Sequence, residues 1–237
     1  MSNKLAIITV HSGCLKKLFL TLNSVSNKKK KPDLHLVISK KYININNSIN
    51  FRKFFFNKHK SLYNAMNIGQ GLSSTYSFLY LNSGDYFYSK NSISIIKRYT
   101  EIYPSKCLIF KTILKYNNLT FEPNNNFFYS DSFCQHPSFV CPSHRRKTKF
   151  NEEFTILSDG IWMQNQNKRF GYKKINSKIS VLSLGGISSD PKLFSIKEYF
   201  SFSIKEGLKE SLKFLIKVIS SKNNFYKIIF QKNFILK

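Results

Sequence analysis

The sequence has few acidic residues, few cysteines and no long apolar run, and each of these absences excludes a class of protein. The four cysteines include no CxxC pair, so their spacing indicates neither a zinc site nor a disulfide framework and favours a reducing compartment. No apolar stretch approaches the ~18 residues that a membrane-spanning helix needs. Met1–Val10 lacks the charged start, long apolar core and cleavage site of a signal peptide. We therefore expect a cytoplasmic protein.

Basic residues dominate the charge. The chain has 38 Lys+Arg against 12 Asp+Glu, which gives a formal net charge of +26 at pH 7. Such a charge favours nucleic acid, anionic lipid headgroups or phosphorylated substrates as partners. A nucleic-acid-binding protein is one alternative, and it depends on this charge, on Lys28–Lys31 and on Arg145–Lys147. Because the sequence contains no helix-turn-helix signature, RNP-like run or zinc pattern, we expect no nucleic-acid partner.

The order of the predicted elements indicates an α/β fold. With 237 residues, 42% of them hydrophobic, the chain can bury a substantial core as one α/β domain with an appendage. Lys4–His11 is typical of a buried strand, and Leu15–Val25 repeats apolar residues at helical spacing. Leu34–Ser39 is a second short strand, whereas Tyr42–Phe56 is interpreted as a loop with room for a short strand. A strand, helix, strand beginning predicts a parallel sheet.

A second predicted helix and strand lead into a polar turn. Ser61–Leu72 has the apolar spacing of a helix, and Tyr76–Leu81 is an aromatic strand that ends in the turn Asn82-Ser83-Gly84-Asp85. The carboxyl end of a strand is where open α/β sheets bind ligands. Downstream, the pattern predicts helices over Ser92–Tyr99 and Ser158–Asn167, and strands over Cys107–Tyr116, within Asn117–Asn126, over Phe139–Cys141 and over Tyr172–Leu184.

The turn at residues 82–85 has two interpretations. It offers a carboxylate, small residues and backbone amides, which suit a Mg²⁺ or Mn²⁺ ion that bridges the phosphates of a nucleotide donor. The sequence Asn-x-Gly-Asp is also ordinary β-turn chemistry. The neighbouring residues favour the first interpretation.

The segment from Tyr63 to Asp85 resembles family 2 glycosyltransferases of the GT-A fold. It reads YNAMNIG, an aromatic strand, then LNSGD, where the polysaccharide-assembling branch of that family has YDAMNKG, a strand and FLNSGD. The resemblance implies a Rossmann-like, mixed and mostly parallel twisted sheet flanked by helices. It also implies that Asp85 holds a divalent cation, Mg²⁺ or Mn²⁺, as the acid of a DxD-like motif. The donor-binding residues that it implies are Thr9, Val10, His11, Asn67, Asn82, Ser83 and Gly84.

The resemblance continues more loosely over residues 4 to 190 and implies a catalytic base. An Asp at the position of Asp159 is the general base of such enzymes, which gives a single in-line displacement with inversion at the anomeric carbon. Gln135–Phe139 looks like the family's His-containing strand, with His136 on the acceptor side, and Trp162 would stack on an acceptor sugar. From the residues alone, Asp159 also suits a helix cap, Trp162 a core position and His136 a structural position.

Several positions depart from the family pattern. Ser39 stands where the family usually has an Asp that binds the donor base, so this contact would rest on a hydroxyl. His59 replaces an acidic residue, and Asn64 replaces the Asp of YDAMNKG. These missing acids motivate an alternative in which the protein is a GT-A-shaped binding subunit without catalysis. The retained Asp85 and Asp159 favour an active enzyme.

We divide the chain into a GT-A domain over residues 1–192 and a basic, aromatic segment over residues 193–237. In that segment, apolar residues from Ile204 to Ile219 lie on one helical face with lysines around it, and Asn223–Lys237 is aromatic and lysine-rich. This pattern suits an anionic membrane surface, although the helix would also suit packing against the domain. The resulting hypothesis is an inverting glycosyltransferase, peripherally associated with the inner membrane. It would transfer a sugar from a nucleotide-sugar donor to a lipid-linked, lipopolysaccharide or capsule glycan acceptor at the cytoplasmic face.

Overall fold

The computed structural model describes residues 4–43, 51–58, 60–116, 118–122, 136–143 and 148–184, together with Glu198 and Phe200. Several sequence features named above lie wholly or partly outside these residues: the middle of Tyr42–Phe56, His59, both ends of Asn117–Asn126, Gln135, Arg145–Lys147, the predicted C-terminal helix and Asn223–Lys237. None of the helices in the described part of the chain is both long and apolar enough to span a bilayer.

The described chain contains strands with helices interspersed among them. The strands are β1 (Leu5–His11), β2 (Leu34–Ser39), β3 (Arg52–Phe56), β4 (Ser77–Tyr80), β5 (Tyr86–Phe87), β6 (Cys107–Tyr116), β7 (Leu119–Phe121), β8 (Phe139–Val140) and β9 (Tyr172–Ser183). The helices are α1 (Leu15–Ser26), α2 (Leu62–Leu72), α3 (Ser92–Ile102) and α4 (Ser158–Phe170). A single 3₁₀ turn covers His136–Ser138, directly before β8.

The first sheet is parallel and is covered on both faces. Its strand order is β3-β2-β1-β4, and all three of its strand pairs are parallel. Every residue of β1 and β2 is buried, which explains why both read as nearly continuous apolar runs. Alternate residues of β1 serve the two faces: Ile7 belongs to the core cluster that includes Ile93 of α3, whereas Ile8 belongs to the cluster that includes Met66 of α2.

The second sheet is mixed and continues the first. Strand β6 pairs in parallel with β9 and antiparallel with β7 and β8, and β5 pairs antiparallel with β9. Residues Phe78 of β4 and Cys141, which follows β8, exchange two backbone hydrogen bonds of 2.9 Å and so join the two sheets. The expected α/β fold, with a mixed and mostly parallel sheet between helices, is confirmed.

The strand order of the first sheet reverses at β1 and β4, which are themselves a parallel pair. The chain leaves β1 towards β2 on one side, while β4 returns on the other side of β1. The backbone of the segment after β4 is held to β1, since Leu81 N donates to Ile8 O at 2.9 Å and Ser83 N donates to Val10 O at 3.1 Å. A reversal of strand order of this kind is where open α/β sheets bind ligands, so the turn at residues 82–85 lies at the expected place.

Helix α2 approaches β1 closely because Gly69 has no side chain. A Cβ atom at Gly69 would lie 2.6 Å from Cγ2 of Ile8, which is fully buried. Packed interiors leave no room for such an overlap, so either the helix or the strand would have to move.

We expect Gly69→Ala to lower the free energy of unfolding by about 1–3 kcal/mol, the usual cost of overpacking a core. Gly71→Ala in the same helix is the matched control, because a Cβ atom there meets nothing within 4 Å. It should raise the free energy of unfolding by about 0.4–1 kcal/mol, since alanine restricts the unfolded chain more than glycine does. Urea denaturation of both variants measures the difference, and equal effects would contradict the close packing of α2 on β1.

Candidate active site

The turn at residues 82–85 is a β-turn that two distant residues hold in place. Asp85 N donates to Asn82 O at 2.9 Å, and Gly84 has a φ of +107°, a backbone conformation that favours glycine. Thr21 of α1 accepts a hydrogen bond from Gly84 N at 2.9 Å and donates one to Asp85 O at 2.7 Å. Ser183, the last residue of β9, donates from its hydroxyl to Gly84 O at 2.7 Å. The turn is therefore fixed on both sides.

Asp85 and Asp159 converge on one imidazole. His136 Nε2 lies 3.2 Å from Asp85 Oδ2, and His136 Nδ1 lies 4.0 Å from Asp159 Oδ2. The Asp85 side chain is 6% exposed and the Asp159 side chain 34% exposed. Three segments thus meet here: the turn after β4, the 3₁₀ turn before β8 and the first turn of α4.

The electrostatics of this cluster favour a protonated His136 and a more basic Asp159. Burial alone would lower the pKa of His136, but the hydrogen bond to Asp85 and the charges of Asp85 and Asp159 outweigh it and raise that pKa. Burial raises the pKa of Asp159, against the opposing effects of the His136 charge and of the hydrogen bond from Gly160 N at 2.8 Å. An imidazolium that lies between two carboxylates offsets their mutual repulsion.

The amide of Asn82 also contacts this imidazole. Its Nδ2 lies 3.2 Å from His136 Nε2, the nitrogen that also lies within hydrogen-bond distance of Asp85. Because a carboxylate can only accept, Nε2 donates to Asp85 and cannot accept from the amide. Asn82 Oδ1 is buried without a partner among the described residues. A rotation of the amide turns Oδ1 towards Nε2 and lets it share the Nε2 hydrogen with Asp85.

Asp85 has donor atoms of the kind that a divalent cation needs. Its two oxygens accept from His136 Nε2 and from Ser183 N, the latter at 3.1 Å, and each oxygen keeps a second lone pair. Mg²⁺ usually takes one or two protein carboxylates and completes its shell with water and substrate phosphates. Within the described residues, no group of three His, Cys, Asp or Glu side chains is placed to hold an ion. A cation at Asp85 fits this chemistry if donor phosphates supply further ligands.

The predicted donor residues of β1 and β2 divide into interior and edge positions. Thr9 and Val10 are buried in the sheet, with Thr9 Oγ1 donating to Leu81 O at 2.8 Å. His11, at the end of β1, lies with its Nδ1 3.0 Å from Ser83 Oγ. Ser39 is also buried, and its hydroxyl donates to the backbone carbonyl of Lys41 at 2.8 Å. Because Thr9, Val10 and His11 are all buried, the partly exposed Ser83 is the residue of this group that a donor would meet at this edge.

The asparagines of the YNAMN segment hold a glutamate that the sequence did not single out as a site residue. Asn64 Nδ2 donates to Glu152 at 2.9 Å, and Asn67 Nδ2 donates to the same carboxylate at 2.8 Å. Asn67 also accepts from Phe150 N at 2.8 Å, which fixes the segment that leads to α4. The departure at Asn64 has a physical reason here, since an aspartate at this position would repel Glu152 instead of donating to it.

Trp162 lies in the aromatic core. Trp162 is only 3% exposed, and its ring stacks on that of Phe150 with the two centroids 4.6 Å apart. Its indole nitrogen donates to Thr148 O at 2.7 Å. Trp162 therefore occupies the core position that was one of its two interpretations from sequence. A sugar could stack on its ring only after a rearrangement of the core.

Tyr63 contacts the segment that carries Asp159. Its hydroxyl donates to Ile156 O at 2.7 Å and lies 3.4 Å from Asp159 Oδ1. Burial, followed by the charge of Asp159, raises the pKa of Tyr63, so the phenol stays protonated and remains a donor. The first residue of the YNAMN segment therefore supports the candidate base.

Comparisons with known proteins give the fold. No protein-family model matches the sequence, and no curated protein matches it. Among solved structures, TarS 1-349 from S. aureus is similar at 12% identity with a TM-score of 0.62, over 76% of this chain and 60% of that one. The complex of S. aureus TarS 1-349 with UDP-GlcNAc is similar at 13% identity with a TM-score of 0.65, over 77% and 59%.

A longer S. aureus TarS structure is similar at 13% identity with a TM-score of 0.63, over 76% of this chain and 37% of that one. This chain thus spans about 60% of the length of the TarS 1-349 structures. At such identities the likeness shows the fold alone. The chain has the GT-A-like fold of these glycosyltransferase structures.

Proposed function

We propose that this protein is an inverting glycosyltransferase that moves a sugar from a nucleotide-sugar donor to a hydroxyl of a glycan acceptor. The observation that carries the proposal is the convergence of Asp85 and Asp159 on His136 at the carboxyl edge of a GT-A-like sheet. One of the similar structures, S. aureus TarS 1-349, is a complex with UDP-GlcNAc, which supports a nucleotide-sugar as the donor.

Asp159 would act as the general base. Its side chain is partly exposed, lies at the start of α4, and has a pKa that burial raises towards the range useful for proton transfer near neutral pH. As the acceptor oxygen attacks the anomeric carbon, its proton passes to Asp159 and the bond between that carbon and the diphosphate oxygen breaks. The two electrons of that bond leave with the nucleoside diphosphate, and a single displacement inverts the anomeric centre.

Asp85 would hold the cation on the leaving-group side. When bound, Mg²⁺ or Mn²⁺ supplies positive charge against the diphosphate that departs. Thr21 and Ser183 keep the Asp85 turn in one position. The imidazole of His136 lies between the carboxylates of Asp85 and Asp159 and so reduces the repulsion between their charges. The two carboxylates would therefore divide the tasks, with Asp85 serving the donor and Asp159 serving the acceptor.

The acceptor that we propose is a lipid-linked, lipopolysaccharide or capsule glycan at the cytoplasmic face of the inner membrane. What supports it is the net charge of +26 and the basic, aromatic sequence of residues 193–237. Co-sedimentation with vesicles that contain anionic lipid, with and without residues 201–237, tests the association. Equal recovery of both forms would remove this part of the proposal.

Donor binding is the experiment that tests the transferase proposal first. We expect one class among UDP-, GDP-, dTDP- and CMP-sugars, with Mg²⁺ or Mn²⁺, to raise the Tm of the protein. A ligand at a hundred times its Kd adds about 2.7 kcal/mol of stability, and about 2–4 °C per kcal/mol for a chain of this size gives a rise of about 5–10 °C.

Asp85→Ala should abolish the cation-dependent part of this rise, because it removes the carboxylate proposed to hold the ion. Glu101→Ala is the control, since Glu101 is an exposed acid on α3, away from this edge. Product formation distinguishes the alternative in which the chain binds without catalysis: a donor-induced rise without sugar transfer to any acceptor favours a binding subunit. A rise of equal size in Asp85→Ala would contradict the assignment of the cation to Asp85.

A further inference from the structure

Helix α4 begins without a cap of its own. Leu157 occupies the N-cap position and its side chain makes no cap hydrogen bond, so the first-turn acceptor is Asp159 Oδ1, which binds Gly160 N. The hydroxyl of Ser158, in the first turn, is buried without a partner among the described residues. Backbone amides at a helix start need acceptors from elsewhere when local side chains do not supply them.

Glu198, which lies 41 to 43 residues further along the chain, binds the amides that lead into this helix. Its carboxylate accepts from the backbone amides of Thr155, Ile156 and Leu157 at 2.5, 2.8 and 3.2 Å. A negative charge at the start of a helix is also favoured by the helix dipole. Asp159 itself accepts a first-turn amide, that of Gly160, while Glu198 accepts the amide of the N-cap residue Leu157 and those of the two residues before it.

The same peptide is held from the opposite side. Ile156 N donates to Glu198, while Ile156 O accepts from the Tyr63 hydroxyl at 2.7 Å. Asp159 follows three residues later, and its Oδ1 lies 3.4 Å from that hydroxyl. The backbone just before the candidate base is therefore fixed by one residue of α2 and one residue near the end of the described chain.

We propose that Glu198 is a positioning residue for Asp159: by binding three consecutive amides before α4, it sets where the carboxylate of Asp159 meets the acceptor hydroxyl. The inference rests on the proposed function, because it takes Asp159 as the base. Displacement of a catalytic group by about 1 Å can reduce a rate by ~100-fold, so a contact far from the reacting atoms can control kcat.

Hydrogen exchange and transfer kinetics test this role together. In Glu198→Ala, we expect faster exchange of the amides of residues 155–157 and a kcat lower by about 10- to 100-fold. The KM for the donor and the donor-induced rise in Tm should stay unchanged, because the donor is bound at the turn after β4. Glu198→Gln keeps an oxygen acceptor and should lie between Glu198→Ala and the wild type, while Glu101→Gln, an exposed control on α3, should match the wild type in every readout.

A second variant approaches the same peptide from the other side. Tyr63→Phe removes the donor to Ile156 O and should give the same pattern, with kcat reduced and the KM for the donor kept. Unchanged exchange at residues 155–157 in Glu198→Ala would overturn the proposal, whether or not the protein transfers a sugar. Fast exchange with full kcat would overturn it too, and so would a parallel loss of kcat and of donor binding, which is the result of a merely structural role. A wild-type protein without transfer activity would instead refute the proposed function.

Discussion

Replacement of Asp159 with asparagine is expected to lower kcat by about two to four orders of magnitude, the usual contribution of a general base. Asparagine keeps the size of the side chain and an oxygen that can accept from Gly160 N, as Asp159 Oδ1 does at 2.8 Å. What it loses is the ability to take a proton from the acceptor hydroxyl. Steady-state transfer with the donor identified by thermal shift measures the change.

The pH dependence should follow from the same side chain. The base works only when deprotonated, and burial raises the pKa of Asp159 above its ordinary value of 3.8. Activity should therefore fall as pH decreases through that raised pKa, so that the acid limb of kcat/KM lies above the range of an exposed aspartate. The limb should be absent from the residual activity of Asp159→Asn.

Ser158→Ala is the matched control for Asp159→Asn. Ser158 precedes Asp159 in the same helical turn, and its hydroxyl is buried without a partner among the described residues. Its removal should change kcat by less than about twofold, because no hydrogen bond is lost. Donor binding should survive in both variants, which separates Asp159 from Asp85. Activity of Asp159→Asn within a few-fold of the wild type would exclude Asp159 as the base.

Periodicity predicted most of the fold because the first sheet is buried on both faces. The predicted strand Leu34–Ser39 has the same bounds in the structure, and the predicted helix Ser61–Leu72 starts one residue later, at Leu62. Strand β3 lies within the region interpreted as a loop with room for a short strand. It is an edge strand with only partly buried or exposed residues, so its sequence lacks the continuous apolar run that identifies its neighbours.

Site residues that lie in a sequence motif could be predicted, whereas residues that reach the site from distant segments could not. Asp85 and Asp159 were identified from motifs, and the structure brings both to His136. Thr21 had one signal, because a polar residue among the apolar positions of α1 indicates a buried partner. Glu198 had none, since its three amide contacts join residues more than forty positions apart. Such contacts depend on tertiary packing, which no local pattern encodes.

A buried polar chain connects the edge of the first sheet to the strand that enters the site. Arg52 Nε donates to His35 Nδ1 at 3.2 Å, and His35 Nε2 lies 3.0 Å from Thr9 Oγ1, which donates to Leu81 O. Because arginine can only donate, His35 Nδ1 must accept, and the proton of the neutral ring lies on Nε2. Every donor and acceptor then has a consistent partner only while His35 is neutral.

Loss of stability in mild acid is the second large effect that we expect, and it comes from His35. Burial, followed by the charge of Arg52, holds the pKa of His35 well below its ordinary value of 6.5. Below pH 6.5, His35 therefore binds a proton in the unfolded chain but remains neutral in the folded protein. The free energy of unfolding should fall by up to about 1.4 kcal/mol per pH unit in that range, from this group alone.

His136 also titrates, but it changes the stability above pH 6.5 rather than below it, so the comparison requires single variants. Its pKa is raised when folded, and its contribution to stability is present below pH 6.5 and lost as pH rises through the raised pKa. His35→Gln should be less stable than the wild type by about 1–3 kcal/mol at pH 8, because the buried hydrogen bonds are imperfectly replaced. This difference should shrink as pH decreases from 6.5 to 5. The deficit of His136→Gln should instead be at its maximum over that range and should shrink as pH rises above 6.5 through the raised pKa of His136.

Urea denaturation at a series of pH values, with a chelator present throughout, measures both differences, and NMR titration of the imidazoles assigns them to the two rings. Parallel stability curves for the wild type and His35→Gln would mean that His35 binds its proton over the same pH range in the folded protein as in the unfolded chain. The chain from Arg52 to Leu81 could not then exist as described, because a protonated Nδ1 cannot accept from Arg52. Convergence of the curves would instead show that the backbone entering the Asp85 turn is held by a network that tolerates only a neutral His35.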